Sequence, residues 1–237
     1  MQKIAIIIPC YNEEKRIREN YLEILLTNQH LDIYLADDGS TDATLAKLTG
    51  FASRFTDRCH VIGYAQNQGK AATIYKSVNQ VNAIGKYDYV GYFDADFSTP
   101  PDEILRMMAE LDKVPSSFIF GSRVLLLNSQ IDRKWQRHVI GRVIITLINL
   151  KFKIGVYDTQ CGAKIFSGDT IEVAFRDPFY TSWLFDVEVF LRLKRKGMLS
   201  NGVEFPLRSW RDVEGSKLSW KTSFKILREL YLLIKSY

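Results

Sequence analysis

Cysteine and histidine are scarce, with three of each in 237 residues. Cys10, Cys59 and Cys161 are an odd number without metal-ligand spacing, and the histidines do not cluster. A disulfide scaffold and a structural zinc site are therefore not expected. Prolines number only six, and no Pro/Gly linker, low-complexity tract or internal repeat divides the chain. Long apolar runs are missing as well. The longest, VIITLINL at 143–150, falls far short of the roughly 20 residues of a membrane span. The N-terminal IAIII is too short for a signal-peptide core and is soon followed by YNEEKR. These absences lead us to expect a cytosolic protein without a leader or transmembrane helix, forming one domain over 1–237.

What is present is an ordinary globular composition, 46% hydrophobic with a net charge of +5, and a strong alternation. KIAIIIP (3–9) reads as a buried strand because it is continuous, apolar and rich in Ile. EEKRIRENYLEILL (13–26) has helical spacing. DIYLADD (32–38) is a second strand, followed by a helix with Ser40 or Thr41 as N-cap. Strands at HVIGYA, YDYVGYFDAD and SSFIFGSR alternate with helices at KAATIYKSVNQV and PPDEILRMMAEL. The last of these opens with proline and acids, as a helix N-terminus prefers. Such alternation predicts an α/β fold with a mostly parallel sheet, whose ligands bind at the carboxyl ends of the strands.

The loops at those ends are PCYNEE, ADDGSTD, AQNQGK, FDADFS and GSR. All are polar, and three carry carboxylates. Asp94 and Asp96 project to one side of an extended segment. Two hard oxygen ligands there suit Mg²⁺ or Mn²⁺, which also bind phosphate oxygens and water. An isolated D-x-D is more often a turn with a capped helix. Here the neighbouring strand ends also carry acids, Glu13-Glu14 and Asp37-Asp38, which favours the metal. GYAQNQGKA departs from the P-loop pattern in spacing and lacks its hydroxyl residue, and no G-x-G-x-x-G follows the first strand. A nucleotide hydrolase of that type and a dinucleotide oxidoreductase are both disfavoured.

IIIPCYNEE, ADDGSTDAT, NQGKAATI, FDADFSTPP and GSR together resemble the successive motifs of inverting family-2 glycosyltransferases. DTQCGAKIF (158–166), WLFDVEVF (183–190) and EGSKL (214–218) resemble the dolichyl-phosphate glucosyltransferase branch, near the dolichyl-phosphate mannose synthases. The resemblance implies a nucleotide-sugar-binding (GT-A, Rossmann-like) fold. It divides the chain into a donor half, 1–123, and an acceptor half, 124–237. It implies that Pro9, Tyr11, Glu13, Asp37 or Asp38, Asn67, Gly69 and Lys70 bind the donor. Asp94, Ala95 and Asp96 would carry the donor and its metal, with Ser98 in place of a glutamine usual in mannose synthases. Arg123, Arg137, Arg211 and Lys217 would meet the acceptor phosphate. Asp158, Asp186 and Glu188 are candidate catalytic acids. Each reads equally as a turn or helix-start residue. Trp183 and Phe185 are expected in the core, and Cys161 as a small packed residue.

The acceptor class rests on two basic segments. RKWQRHVIGRVIITLINLKFK (133–153) contains no acid, and KLSWKTSFKILRELYLLIKSY (217–237) places Trp220, Phe224, Leu227 and Tyr231 on one stripe. Either alone reads equally as a core-packed helix with a solvated basic face. Together they favour an anionic membrane surface over nucleic acid. The expectation is a peripheral enzyme at the cytoplasmic membrane face, with an integral membrane partner as one possible helper. It would move glucose from UDP-glucose to a polyprenyl phosphate. Mannose from GDP-mannose, a glycan hydroxyl acceptor, and a silent nucleotide-sugar-binding protein are the alternatives.

Overall fold

The computed structural model describes residues 2–114, 116–133, 135–213 and 220–237, with the backbone alone at 135–138, 140 and 220–224. The first half alternates β1 (Ile4–Cys10), α1 (Glu19–Leu26), β2 (Leu31–Asp37), α2 (Thr44–Ala52), β3 (Cys59–Gly63), α3 (Lys70–Asn82), β4 (Tyr89–Phe93), α4 (Pro101–Lys113) and β5 (Phe118–Ser122). The second half adds β6 (Gln130–Asp132), α5 (Trp135–Phe152), β7 (Ala163–Ser167), α6 (Gly168–Ala174), α7 (Phe185–Arg195), β8 (Gly202–Pro206), β9 (Ser209–Arg211) and α8 (Trp220–Ser236).

Seven strands form one sheet in the order β3-β2-β1-β4-β7-β5-β8. All neighbours run parallel except β7, which is antiparallel to both β4 and β5. The apolar run of β1 is continuous because both sheet faces are covered. Ala5 and Ile7 enter the core under α3, α7 and α8, whereas Ile4, Ile6 and Ile8 enter the core under α1, α2 and α4. The chain winds from β1 outward to β3 and then returns to place β4 on the other side of β1. The carboxyl ends of β1 and β4 thus flank the topological switch point, where a crevice opens in such sheets.

Two local expectations are corrected. The helix expected from residue 13 begins only at Glu19. Asn12 adopts a left-handed backbone (φ 52°), and the Glu13 N–H donates to Thr44 Oγ1 at 2.8 Å, so 13–18 is drawn into a loop against the start of α2. Neither Ser40 nor Thr41 caps α2. Ser40 Oγ accepts the Asn12 N–H and the Thr41 N–H donates to Asn12 Oδ1. Asp42 instead accepts the Thr44 N–H at 2.9 Å.

The two basic segments form α5 and α8, and both pack on the core through one side. Ile145 and Ile148 of α5, and Ile226 and Leu233 of α8, are buried. On α8, Glu229 is buried and accepts the N–H groups of Ser182, Trp183 and Leu184 at 3.2, 2.8 and 2.9 Å, with the Ser182 hydroxyl at 2.9 Å. One carboxylate therefore fixes the segment that enters α7. Glu229→Ala leaves those buried donors unpaired and should lower stability by about 2–5 kcal/mol. Urea denaturation reads this, and Glu229→Gln, retaining one acceptor oxygen, should fall between.

Candidate active site

Asp94 and Asp96 follow directly on β4 and line a cleft of about 410 Å³. Its other walls come from the first residue of α3 (Lys70), α5 (Arg142, Ile145), the segment before β7 (Asp158, Thr159), the entrance and start of α7 (Trp183, Asp186) and α8 (Ile226). The Asp94 carboxylate lies hard against the backbone of Gly162, whose carbonyl accepts the Asp94 N–H at 3.1 Å. A Cβ at Gly162 would stand 2.0 Å from Asp94 Oδ2. Glycine at 162 is therefore a requirement of the Asp94 rotamer.

Lys70 forms an ion pair with Asp94 Oδ1 across the cleft mouth. Desolvation acts to lower the Lys70 pKa, but the surrounding charges of Asp94, Asp186 and Asp96 more than reverse it, so the net shift is upward. Asp96 accepts the Ser98 N–H at 2.9 Å. Its pKa is raised, first by burial and then by the charge of Asp94. Among the described residues no three His, Cys, Asp or Glu gather as a complete metal cage. The Asp94–Asp96 pair fits a hard divalent cation that takes its remaining ligands from a diphosphate and water. A cation there would offset both influences that disfavour ionised Asp96.

Beneath this edge lies an ammonium out of contact with water. Lys164, near the start of β7, is 0% exposed. It donates to Asp186 Oδ1 and to the Cys161 carbonyl, each at 2.6 Å. Tyr92 donates its hydroxyl to the same Asp186 oxygen, and its own pKa is pushed far up, by burial and then by that carboxylate. Asp186 is thus held by two donors through one oxygen on the cleft wall.

Asp158 is placed differently. Arg123 grips it in a fork, Nε to Oδ2 at 2.6 Å and Nη2 to Oδ1 at 2.8 Å. Burial works to raise the Asp158 pKa, but the Arg123 guanidinium overrides it and holds the carboxyl well below the usual range. Glu204 of β8 accepts the N–H groups of Tyr157 and Asp158 and fixes the loop. Glu188 does not reach the cleft. It is fully buried and bonded to Thr181, Arg192 and the Tyr237 hydroxyl on another side of α7.

The expected donor residues gather beside the cleft, along the ends of β1, β2 and β3. Pro9 is half-buried and Tyr11 exposed. Burial chiefly raises the Glu13 pKa; the Arg16 ion pair opposes this, while Asp96 and Asp42 add to the rise. Asp38 accepts the Gln68 and Gly69 N–H groups, both at 2.9 Å, so it is spent on holding the loop with Asn67. Gly39 makes this docking possible: its φ is +67°, and a Cβ would lie 2.5 Å from the Gln66 carbonyl carbon. Asp37 accepts the Ser40 N–H through Oδ2, but among the described residues its buried Oδ1 has no partner, and neither has Glu13 Oε2. Thr159 Oγ1 and Gln160 Nε2 in the cleft lining are likewise buried without partners.

The expected phosphate-binding set is dispersed. Arg123 is committed to Asp158. Arg211 lies in a shallow groove with Gln130–Asp132, outside the main cleft. The Arg137 side chain and all of Lys217 lie outside the described residues, as does EGSKL. Trp183, expected in the core, instead lines the cleft and is 37% exposed, while its backbone N–H donates to Glu229. Phe185 is in the core as expected. Cys161 is packed, with its thiol pushed up to about 11, chiefly by burial.

Arg133, Lys164 and Gly162 were not singled out from sequence. Arg133 lines the cleft and makes no hydrogen bond or ion pair to another described residue. Its pKa is lowered by burial and by the like charge of Arg123. A lysine inside the apolar strand AKIFS was the one visible signal for Lys164.

A family profile described as "Glycosyl transferase family 2" matches residues 5–173. A dolichyl-phosphate beta-glucosyltransferase of Trichomonas vaginalis is 27% identical, over 99% of this chain and 73% of the relative. The dolichyl-phosphate beta-glucosyltransferase of Saccharomyces cerevisiae is 26% identical, over 99% and 75%. Among solved structures, glucosyl-3-phosphoglycerate synthase from Mycobacterium tuberculosis, in complex with Mn²⁺, UDP and glucosyl-3-phosphoglycerate, superposes with a TM-score of 0.70. The match has 14% identity and covers 99% of this chain and 79% of that one.

Asp158→Asn leaves the buried Arg123 charge uncompensated and should cost about 3–5 kcal/mol of stability at neutral pH. A carboxylate held below its unfolded pKa stabilises above that pKa and loses the contribution as pH falls through the folded one. Denaturation across pH should therefore show the wild-type advantage shrinking only at strongly acidic pH.

Proposed function

The chain belongs to glycosyl transferase family 2, and from that premise we propose that it transfers glucose from UDP-glucose to a polyprenyl phosphate such as dolichyl phosphate. The fold is the nucleotide-sugar-binding, GT-A type shared with its structural neighbours. We read the chain as one domain, with a donor half over 1–123 and an acceptor half over 124–237. The observation that carries the acceptor assignment is Arg133. A guanidinium that makes no hydrogen bond or ion pair to another described residue, although the charges of Asp158 and Asp212 act on it, shares the cleft with the Asp94–Asp96 pair, and an anionic acceptor gives it a direct partner. The names of the relatives support glucose and the lipid phosphate.

In this reading the partnerless oxygens of Asp37 and Glu13 accept hydrogen bonds from the nucleoside, with Pro9 and Tyr11 beside them. Asp94 and Asp96 would hold Mg²⁺ or Mn²⁺, which when bound neutralises charge on the departing diphosphate. Lys70 stands at the same edge to meet a phosphate oxygen. Asp186, Thr159 and Gln160 position the sugar hydroxyls. Arg133 holds the acceptor phosphate so that one oxygen faces the anomeric carbon. That oxygen forms the new C–O bond while the bond to the diphosphate breaks on the opposite face, inverting the configuration.

A phosphate with a second pKa of about 6 is already largely dianionic at pH 7 and needs no strong base. This agrees with the placement of the acids. Asp158 is locked by Arg123 and Glu188 is buried, so neither is free to take a proton from a hydroxyl acceptor. The three cysteines are free and buried, which supports action at the cytoplasmic face of a membrane.

Labelled UDP-glucose and GDP-mannose, offered separately with dolichyl phosphate and Mn²⁺, test the reading. A lipid-linked product from UDP-glucose alone, abolished by EDTA, is the expected result. Asp94→Ala should lower the rate ~100-fold or more. Product from GDP-mannose changes the donor, and transfer only to a glycan hydroxyl sinks the lipid acceptor.

Gly162→Ala should act almost as strongly on rate, because its methyl group displaces the Asp94 carboxylate, the movable end of a side chain. Its unfolding midpoint should stay near wild type. A large stability loss with an unchanged rate would contradict this account of Asp94.

A further inference from the structure

Three apolar segments around the cleft point outward. The first is the loop between β5 and β6, where Leu125, Leu126 and Leu127 are all exposed, Leu127 by 94%. Leu125 borders a groove with Trp210, and Trp210 also lines the cleft. The second is on α5. Ile144 and Ile145 face the cleft, while Val143, Leu147 and Leu150 form a stripe open to solvent, with Leu150 72% exposed. The third is on α8. Ile226 lines the cleft and Leu233 is in the core, while Leu227 and Tyr231, four residues apart, are exposed. Singly exposed leucines are ordinary; three clusters on segments that wall or adjoin one cleft are not.

The charge on these segments selects among occupants. Residues 133–153 hold six Lys or Arg and no acid, and 220–237 hold four against one Glu. That glutamate, Glu229, is buried in the clamp described above. The whole chain is only +5, so the remainder of the molecule is net acidic and the basic excess belongs to these two segments. Two copies meeting through this face would bring like charges together, which disfavours self-association. An anionic lipid surface answers both features, since it attracts Lys and Arg and accepts apolar side chains at its acyl boundary. No helix among the described residues is long and apolar enough to cross a membrane.

We propose that the Leu125–Leu127 loop and the outer stripes of α5 and α8 form one docking surface for an anionic bilayer, with the leucine loop as the inserting element. The inference rests on the proposed lipid acceptor for its purpose, but on exposure and charge for its evidence. It also gives the acceptor a route. A phosphate headgroup rising from the bilayer between α5 and α8 enters the cleft beside Arg133, while its hydrocarbon tail stays among the apolar stripes.

Flotation with phosphatidylcholine vesicles, with and without phosphatidylglycerol, tests the surface without any nucleotide sugar. The full chain should float with the anionic vesicles, and less so at high salt. Replacing Leu125, Leu126 and Leu127 together by Ser should weaken vesicle affinity by about tenfold or more. Transfer to a short-chain, water-soluble prenyl phosphate should stay at the wild-type rate. A second set, Val143→Ser, Leu147→Ser and Leu150→Ser, should weaken vesicle binding through α5. Wild-type protein that leaves anionic vesicles unbound, a leucine variant that binds them like wild type, or a stable dimer formed through these leucines overturns the proposal. Vesicle binding without transfer to any prenyl phosphate would fault the proposed reaction and leave the docking surface standing.

Discussion

Asp94, Asp96 and Asp186 converge at the switch point of the sheet, with Glu13 beside them, and the surrounding structure answers the repulsion among them. Two cations stand among the cleft acids from opposite sides. Lys70 does so from the cleft mouth, as the ion pair with Asp94. Lys164 does so from beneath, with no exposure to water, as the pair with Asp186. A buried ammonium is costly unless paired and hydrogen-bonded, and Lys164 has both a carboxylate and a carbonyl. Asp96, facing Asp94 without such a partner, is left with a raised pKa. It is the carboxylate a divalent cation would relieve most.

The reversed strand β7 is what delivers this arrangement. Running antiparallel between β4 and β5, it brings its N-terminal approach to the carboxyl end of β4. One short segment then does several things at once. Asp158 takes the Arg123 fork, Thr159 and Gln160 face the cleft, Gly162 leaves room for Asp94, and Lys164 sits opposite Tyr92 in the register. A parallel strand at this position would present its opposite end, and none of these residues would meet Asp94 or Asp186.

Polar clamps of the same kind hold the second half of the chain. Glu229 binds α8 to the entrance of α7, Glu204 holds the approach to β7, and Glu188 joins α7 to the C-terminal Tyr237. Each of these carboxylates has several donors, so each fixes a geometry as well as a contact. This is why Glu188, read from sequence beside Asp186, belongs to a different network. Two residues apart on a helix, the side chains point roughly 200° apart.

Periodicity and strand-end composition were enough to read the alternating first half of the chain. The order of β1 to β5, the parallel sheet and the placing of Asp94 and Asp96 at a strand tip all follow from apolar runs that stop at polar turns, which are local properties of the chain. The start of α1 was misplaced because its competitor is not local: Glu13 is held by Thr44, 31 residues away. In the same way Asp38 looked equivalent to Asp37 until the loop of Gln68 closed on it. By itself, the sequence determined the α/β alternation, the family and the acid pair, because these depend on spacing between neighbours in the chain. Only the tertiary structure decided which charges are spent on one another. That Arg123 belongs to Asp158, that Lys164 lies under Asp186, and that Arg133 forms no hydrogen bond with another described residue depend on distances between segments remote in sequence, and on burial, which sets how strongly each charge must be answered.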